Sequence, residues 1–280
     1  NLKKNIIYIK KFSKVPICID TEGAQIRTKC NNIKFLKKGS NIKIFKDKNY
    51  SFYPNSVFEK LTINDQLDIG FRGLKVKVIK KNKNYLKCKA IQQGYFEPNK
   101  GVHLTNRKIR LNYLTEKDLK AINIGKKFKI KYYALSFTNT HEDVLNFKKL
   151  CKGNKTIFKI ETKEAVKNLS KILSLGDNFL IDRGDLSKDI KLENVPIIQR
   201  IIISEAKKKK KKVFVATNFL ESMILNNYPT RAEVNDIYNT IEMGAEGLVL
   251  AAETAIGKNP KECVEILKKI IKVFNKSKDV

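Results

Sequence analysis

Lys159 and Glu161 stand two residues apart in TIFKIE (156–161), and a second charged cluster follows in FLIDRGDLSKDI (179–190), where Asp182, Arg183, Gly184 and Asp185 close an apolar run. Spacing by two puts Lys159 and Glu161 on one face of a strand and Ile160 on the other. A lysine and a carboxylate on one inner face form a structural ion pair in many folds. With Asp185 added, two hard carboxylates from neighbouring strands also suit Mg²⁺ or Mn²⁺, an ion that keeps most of its waters for substrate oxygens. A lysine beside that ion would neutralise charge developing on a transferred phosphoryl group or an enolate oxygen. Gly184 permits close backbone approach, and a helix starting at Leu186 would turn free N–H groups toward an anion. The same stretch also reads as an ordinary strand, glycine turn and capping aspartate. Metal plus lysine implies an anionic substrate.

These residues need strands to carry them. From Lys129 the chain alternates strand-like runs (129–137, 156–161, 178–182, 212–217 and 247–253) with amphipathic stretches, which argues for a parallel sheet, open or closed into a barrel. Polar residues end almost every run: Ser136, Lys159 with Glu161, Arg183 with Asp185, Thr217, and Glu253 with Thr254. Active sites of (β/α) barrels are built at that rim, so the pattern favours the closed form. Upstream, VPICID (15–20) reads as another buried strand. Short runs such as 41–45, 74–79 and 85–91, broken by Gly, Asn and Asp, then read as a small all-β unit inserted between two barrel strands. A helix is expected at 115–125, with Thr115 as its N-cap and Gly125 as its end. The expected division is a barrel at 1–24 and 112–280 around an inserted β-barrel lid at 25–111.

The 280-residue chain is 42% hydrophobic, enough to fill a sizeable core. No apolar run reaches about 18 residues and NLKKNIIYIKK lacks a signal-peptide pattern, so a soluble, cytoplasmic protein is expected. Five scattered cysteines and two histidines suggest neither a disulfide framework nor a zinc site, and leave little for a histidine triad. The formal net charge of +30 would attract nucleic acid, anionic membranes or phosphorylated small molecules. Lysine, however, is spread through every segment, whereas nucleic-acid surfaces concentrate arginine with aromatics and glycines. The densest run, 207–212, reads as a solvated turn between a helix and a strand.

Longer motifs carry a family resemblance. VFVATNFLESM (213–223), YPTRAEVNDIYN (228–239) and GAEGLVLAAETAIGKNPKECV (244–264) closely resemble the last barrel strands of pyruvate kinase. FLIDRGDLSKDI with FKIE resembles that family's metal and phosphoenolpyruvate site. CIDTEGAQIRT (18–28) and KGVHL (100–104) with LTEKDL (114–119) resemble the entry to and exit from its small β domain. Several motifs in one order are far more specific than a single short match. The resemblance implies a TIM-type (β/α) barrel, incomplete at its N-terminus, with a small inserted all-β domain. It implies transfer of the phosphoryl group of phosphoenolpyruvate to ADP, with Mg²⁺ or Mn²⁺ and K⁺ as cofactors, in the last step of glycolysis. It makes Lys159 the catalytic lysine, Glu161 and Asp185 the divalent-metal ligands, and Thr217 a group on the proton route to the enolate. The Gly184 and Asp185 N–H groups, with the Thr217 hydroxyl, would hold the substrate carboxylate, and Ser136 would lie near the phosphate. Asp20 and Thr21 match two potassium ligands, and Arg27 and Lys100 match nucleotide contacts. A homo-oligomer is also expected, with no membrane partner and with nucleic acid the last-ranked partner.

The chain departs from the family pattern at several points. The sequence shows no match to the family's first two barrel strands, to a phosphate-holding arginine or to its C-terminal regulatory domain, so either it is an incomplete version of a longer protein or the barrel is open here. Phe71 and Arg72 stand where the lid usually carries acidic residues, and Gln25 stands where a glutamate or lysine governs potassium dependence. Smaller changes are Asn139, Thr162, Asn218, Ala251 and Ala252. Two other readings therefore stand beside the enzyme: a non-catalytic or regulatory paralogue, and a basic nucleic-acid-binding protein on a recycled barrel.

Overall fold

The computed structural model describes residues 2–70 and 73–277. The chain forms two compact units, Asn1–Gly23 with Glu116–Val280, and Ala24–Thr115. In the first unit, six described strands form one parallel sheet in the order Cys18–Asp20, Tyr132–Leu135, Lys155–Ile160, Asn178–Asp182, Lys212–Ala216, Gly247–Val249. It is a half-barrel. Six strands fall short of the eight that close a barrel of this type, so among the described residues the closed form suggested by the polar rim is not formed.

Alternation along the strands separates two faces. Phe158 and Phe179 pack against each other and, through Phe158, against Phe147 of the helix His141–Leu150, with ring centroids about 6 Å apart. That side is apolar and dry, with Phe158, Ile160, Phe179, Ile181, Val213 and Val215 all buried. Lys159, Leu180 and Asp182 therefore point to the opposite, inner face. Helix starts are written locally: Thr140 with Asp143, and Thr230 with Glu233, form reciprocal capping boxes on His141–Leu150 and Arg231–Glu242.

Three local expectations are corrected. Gly125 does not end its helix, which runs Glu116–Lys127. A Cβ at Gly125 would lie 2.4 Å from Ile19 Cδ1 and 2.8 Å from the Tyr133 hydroxyl, so the glycine lets the helix close onto the sheet. The last strand stops at Val249, and Glu253 lies on the short helix Ala252–Ala255 with its carboxylate buried, accepting the N–H groups of Ala251 and Leu220. The helix expected from Leu186 begins at Arg183, because Asp182 caps it by accepting the Asp185 N–H at 3.2 Å. The Phe71 and Arg72 positions lie outside the described residues.

The second unit closes into a barrel in the order Gly101–Leu104, Ile26–Lys29, Ser51–Tyr53, Asn41–Phe45, Tyr85–Gln92, Leu74–Lys81, Gln66–Ile69. Leu74, Val76 and Val78 point inward with Ile44, Leu67 and Leu86, while the intervening lysines face outward. Asp65 is 1% exposed and receives Arg107 in a two-point pair, Nε to Oδ1 at 2.6 Å and Nη2 to Oδ2 at 2.7 Å. Burial pushes the Asp65 carboxyl up, but the Arg107 hydrogen bonds and the Thr62 N–H outweigh it and hold Asp65 below its ordinary value. Its stabilisation is thus present above an unfolded pKa of about 3.9 and lost as pH falls through the lower folded value. Arg107→Ala is expected to destabilise this unit at neutral pH by about 2 kcal/mol, less than for a wholly buried pair because the arginine is partly exposed. Hydrogen exchange of the barrel amides in urea measures the loss, and the difference from wild type should fade below about pH 4.

No helix among the described residues is long and apolar enough to cross a membrane.

Candidate active site

Register brings the charged groups together. Lys159 pairs with Leu180 and Ile160 with Ile181, which sets Glu161 level with Asp182 at the C-terminal ends of adjacent strands. Lys159 is 8% exposed, and its Nζ lies 3.0 Å from Asp20 Oδ2, 3.0 Å from Glu161 Oε1 and 3.8 Å from Asp182 Oδ2. Burial works against its charge, but the carboxylates of Glu161, Asp20 and Asp182 prevail and push Lys159 well above its ordinary value. It stays an ammonium. Glu161 is 1% exposed; burial pushes its carboxyl up, Lys159 pulls it back, and the neighbouring Asp182 and Asp185 charges push it up again, to about 8. Burial likewise raises Asp182.

The carboxylates form a pocket suited to a hard cation. Glu161 Oε2 accepts the N–H of Phe137, a residue turned into the left-handed region at φ 53°. Its other oxygen, Oε1, touches Lys159 in charge contact and has no hydrogen-bond partner among the described residues. One carboxylate oxygen each from Glu161, Asp182 and Asp185 lies within 4.8 Å of the others. A buried carboxylate converging with two more, one of its oxygens contacted only by an ammonium, is a donor set that fits Mg²⁺ or Mn²⁺. Asp185 is meanwhile held by Lys188, 2.5 Å from its Oδ1.

Thr217 sits just past its strand at φ 74°, followed by Asn218 at φ 58°. A β-branched residue in that region is strained. Arg183 holds it there: Nε and Nη2 donate to the Thr217 carbonyl at 3.1 and 2.5 Å, Nη1 bridges both Asp236 oxygens at 2.9 and 2.7 Å, and the guanidinium lies 4.2 Å from the Phe219 ring centroid. The Thr217 hydroxyl oxygen accepts the Gly184 N–H at 2.8 Å. The two backbone donors singled out in the sequence are thus turned inward, Gly184 onto Thr217 and Asp185 onto Asp182.

On the other flank the Ser136 hydroxyl donates to Asp20 Oδ1 at 3.1 Å, and the Ser136 N–H donates to the Thr21 hydroxyl oxygen at 3.0 Å. Gly23, at φ 67°, lets this turn close in, since a Cβ there would lie 2.5 Å from the Ser136 carbonyl oxygen. Asp20, Thr21, Ser136, Lys159, Glu161, Gly184, Asp185 and Thr217 therefore all lie along the strand ends of the first unit. Arg27 and Lys100 belong to the second, on neighbouring chain segments where the Thr28 N–H donates to the Lys100 carbonyl; Arg27 donates to the Asn99 carbonyl, and Lys100 pairs with Glu97. The sequence reading left Asp182, Lys188 and Asp236 without a role. For Asp182 the signal was present, because it ends the run that shares Lys159's inner face.

The family model "Pyruvate kinase, barrel domain" matches residues 3–264. The chain is similar to pyruvate kinase of Thermotoga maritima, 35% identical over 283 residues, covering 95% of this chain and 60% of that protein. It is 33% identical over 289 residues to pyruvate kinase of Staphylococcus epidermidis, covering 96% of this chain and 49% of that protein. With pyruvate kinase of Methanocaldococcus jannaschii it shares 35% identity over 277 residues, covering 96% of this chain and 60% of that protein. The chain spans about half to three-fifths of the length of these relatives.

Proposed function

This chain belongs to the pyruvate kinase family, and from that premise we propose that it carries the phosphoryl-transfer centre of a phosphoenolpyruvate:ADP phosphotransferase, forming pyruvate and ATP with a divalent cation. The single observation that carries this reading is the convergence of the Lys159 ammonium with the carboxylates of Glu161, Asp182 and Asp185 at adjacent strand ends.

Lys159 is rigid and charged, held by Asp20 and Glu161, and so is preorganised to stabilise charge on the transferring phosphoryl group and then on the enolate oxygen. Glu161 and Asp185 would hold Mg²⁺ or Mn²⁺, which when bound supplies Lewis-acid stabilisation to the substrate oxygens. The substrate carboxylate would take over the Gly184 and Asp185 N–H groups from Thr217 and Asp182. The Thr217 hydroxyl, released from Gly184, would then stand beside the enolate carbon and relay a proton to it. Ser136 would face the phosphate. Asp20 and Thr21 would serve a monovalent cation, for which K⁺ would compete with Lys159 at Asp20. Arg27 and Lys100 would meet the nucleotide. The reading also takes in a cytoplasmic homo-oligomer.

Coupling to a pyruvate-consuming reductase tests the reaction. Pyruvate formed from phosphoenolpyruvate and ADP only with Mg²⁺ or Mn²⁺ supports it; folded protein that forms none overturns it. The Lys188 contact yields a separate expectation. Because this ammonium competes with any cation for Asp185, Lys188→Met should tighten Mn²⁺ binding about threefold, as for a partly exposed ion pair. Titration calorimetry reads the change.

A further inference from the structure

The residues assigned to the metal from the motif are Glu161 and Asp185; Asp182 was not among them. We infer that Asp182 is a third carboxylate of the divalent-cation site, placed opposite Glu161 by strand register and beside Asp185 by its own helix cap. This inference rests on the reading proposed above and names a further residue of the same centre.

Three observations support it. Asp182 divides its two oxygens: Oδ1 accepts the Asp185 N–H at 3.2 Å, while Oδ2 is turned toward Lys159, 3.8 Å away and beyond hydrogen-bond reach. One oxygen therefore fixes the helix that carries Asp185, and the other is left for a cation. Next, the pocket already contains the buried Glu161 carboxylate, whose Oε1 has no hydrogen-bond partner among the described residues beyond its charge contact with Lys159, and one oxygen of which lies within 4.8 Å of an Asp182 oxygen. Last, charge is unbalanced. The four carboxylates of Asp20, Glu161, Asp182 and Asp185 meet two ammonium groups, Lys159 and Lys188. With all four ionised, two negative charges are left over, and one divalent ion matches them. Without Asp182 the deficit would be a single charge.

Such a site should load its divalent ion before an anionic substrate, since the empty pocket repels phosphate and carboxylate alike. A carboxylate that caps the next ligand's helix also couples metal affinity to the geometry of the 183–189 turn.

The test is Mn²⁺ binding to the full chain without substrate, followed by electron paramagnetic resonance of free Mn²⁺ and by calorimetry. Asp182→Asn retains a side chain that caps as well as aspartate but lacks the charge. Expected is one Mn²⁺ per wild-type chain and an affinity at least about tenfold weaker in Asp182→Asn, the scale of loss for groups that support a metal. Near-UV circular dichroism checks the fold, and should Asp182→Asn unfold, Asp182→Ser, which also caps but is too short to reach the ion, decides by the same criterion. Unchanged Mn²⁺ affinity in the folded Asp182 variant, with binding lost in Glu161→Gln, overturns the role of Asp182 and leaves the phosphotransferase reading standing. Wild-type protein that binds no Mn²⁺ overturns both.

Discussion

If the proposed reaction holds, Lys159→Met is expected to abolish phosphoryl transfer in the coupled assay, with kcat reduced about 10³-fold or more, the loss that follows removal of a preorganised cation from developing anionic charge. The expectation follows from how little freedom this side chain has. It is 8% exposed, carries its charge against burial because carboxylates surround it, and sits at the end of the strand Lys155–Ile160 on the face that receives Asp182. Nothing else among the described groups offers an ammonium at that spot: Lys188 is committed to Asp185. The loss should appear in kcat more than in KM, since the contact strengthens as charge develops. Methionine fills the volume, so the sheet persists. Its Glu161 carboxylate, deprived of the ammonium, then takes up a proton more readily. A variant retaining a tenth of wild-type turnover would exclude the assigned role.

On the same reading, Glu161→Gln is expected to remove Mn²⁺ binding and turnover together. The substitution is nearly isosteric and leaves the amide oxygen able to accept the Phe137 N–H that Oε2 now accepts. What disappears is the anionic form of the one site carboxylate that is 1% exposed, together with the oxygen that contacts Lys159. A neutral amide is a far weaker ligand for a hard dication, and turnover should fall about 10²-fold or more, with excess Mn²⁺ restoring little. Stability should move the other way or not at all. A buried carboxylate raised to about 8 is an electrostatic burden on the metal-free fold, which the amide does not carry. Calorimetric melting of the metal-free proteins should therefore give equal or higher Tm for the variant, and addition of Mn²⁺ should stabilise only wild type. Tight Mn²⁺ binding by the variant would show that the ion sits elsewhere.

Much of this was legible in the chain itself. Alternation in TIFKIE placed Lys159 and Glu161 on one face, the polar ends of successive runs marked the rim, and long motifs in a fixed order pointed to the family. These are local or collinear properties, readable without knowing which strand neighbours which. Caps such as Thr140 and Thr230 are of the same kind, written within four residues. The glycine at 125 was misread because its reason is not local: the close approach of Ile19 and Tyr133 demands a missing Cβ, and neither partner is near it in sequence. Glu253 likewise looked like a strand end and is instead a buried acceptor for backbone groups of Ala251 and Leu220.

Tertiary structure alone decided how the charges are shared. Sequence supplied acids and lysines at the right ends of the right strands, because side-chain alternation is a property of the backbone. It could not supply the register that sets Asp182 beside Glu161, the pairing of Lys188 with Asp185, or the strained turn at Thr217 clamped by Arg183 and Asp236. Those depend on distances across strands and helices that no spacing along one strand encodes, and Coulomb energy in a buried pocket is set by distance.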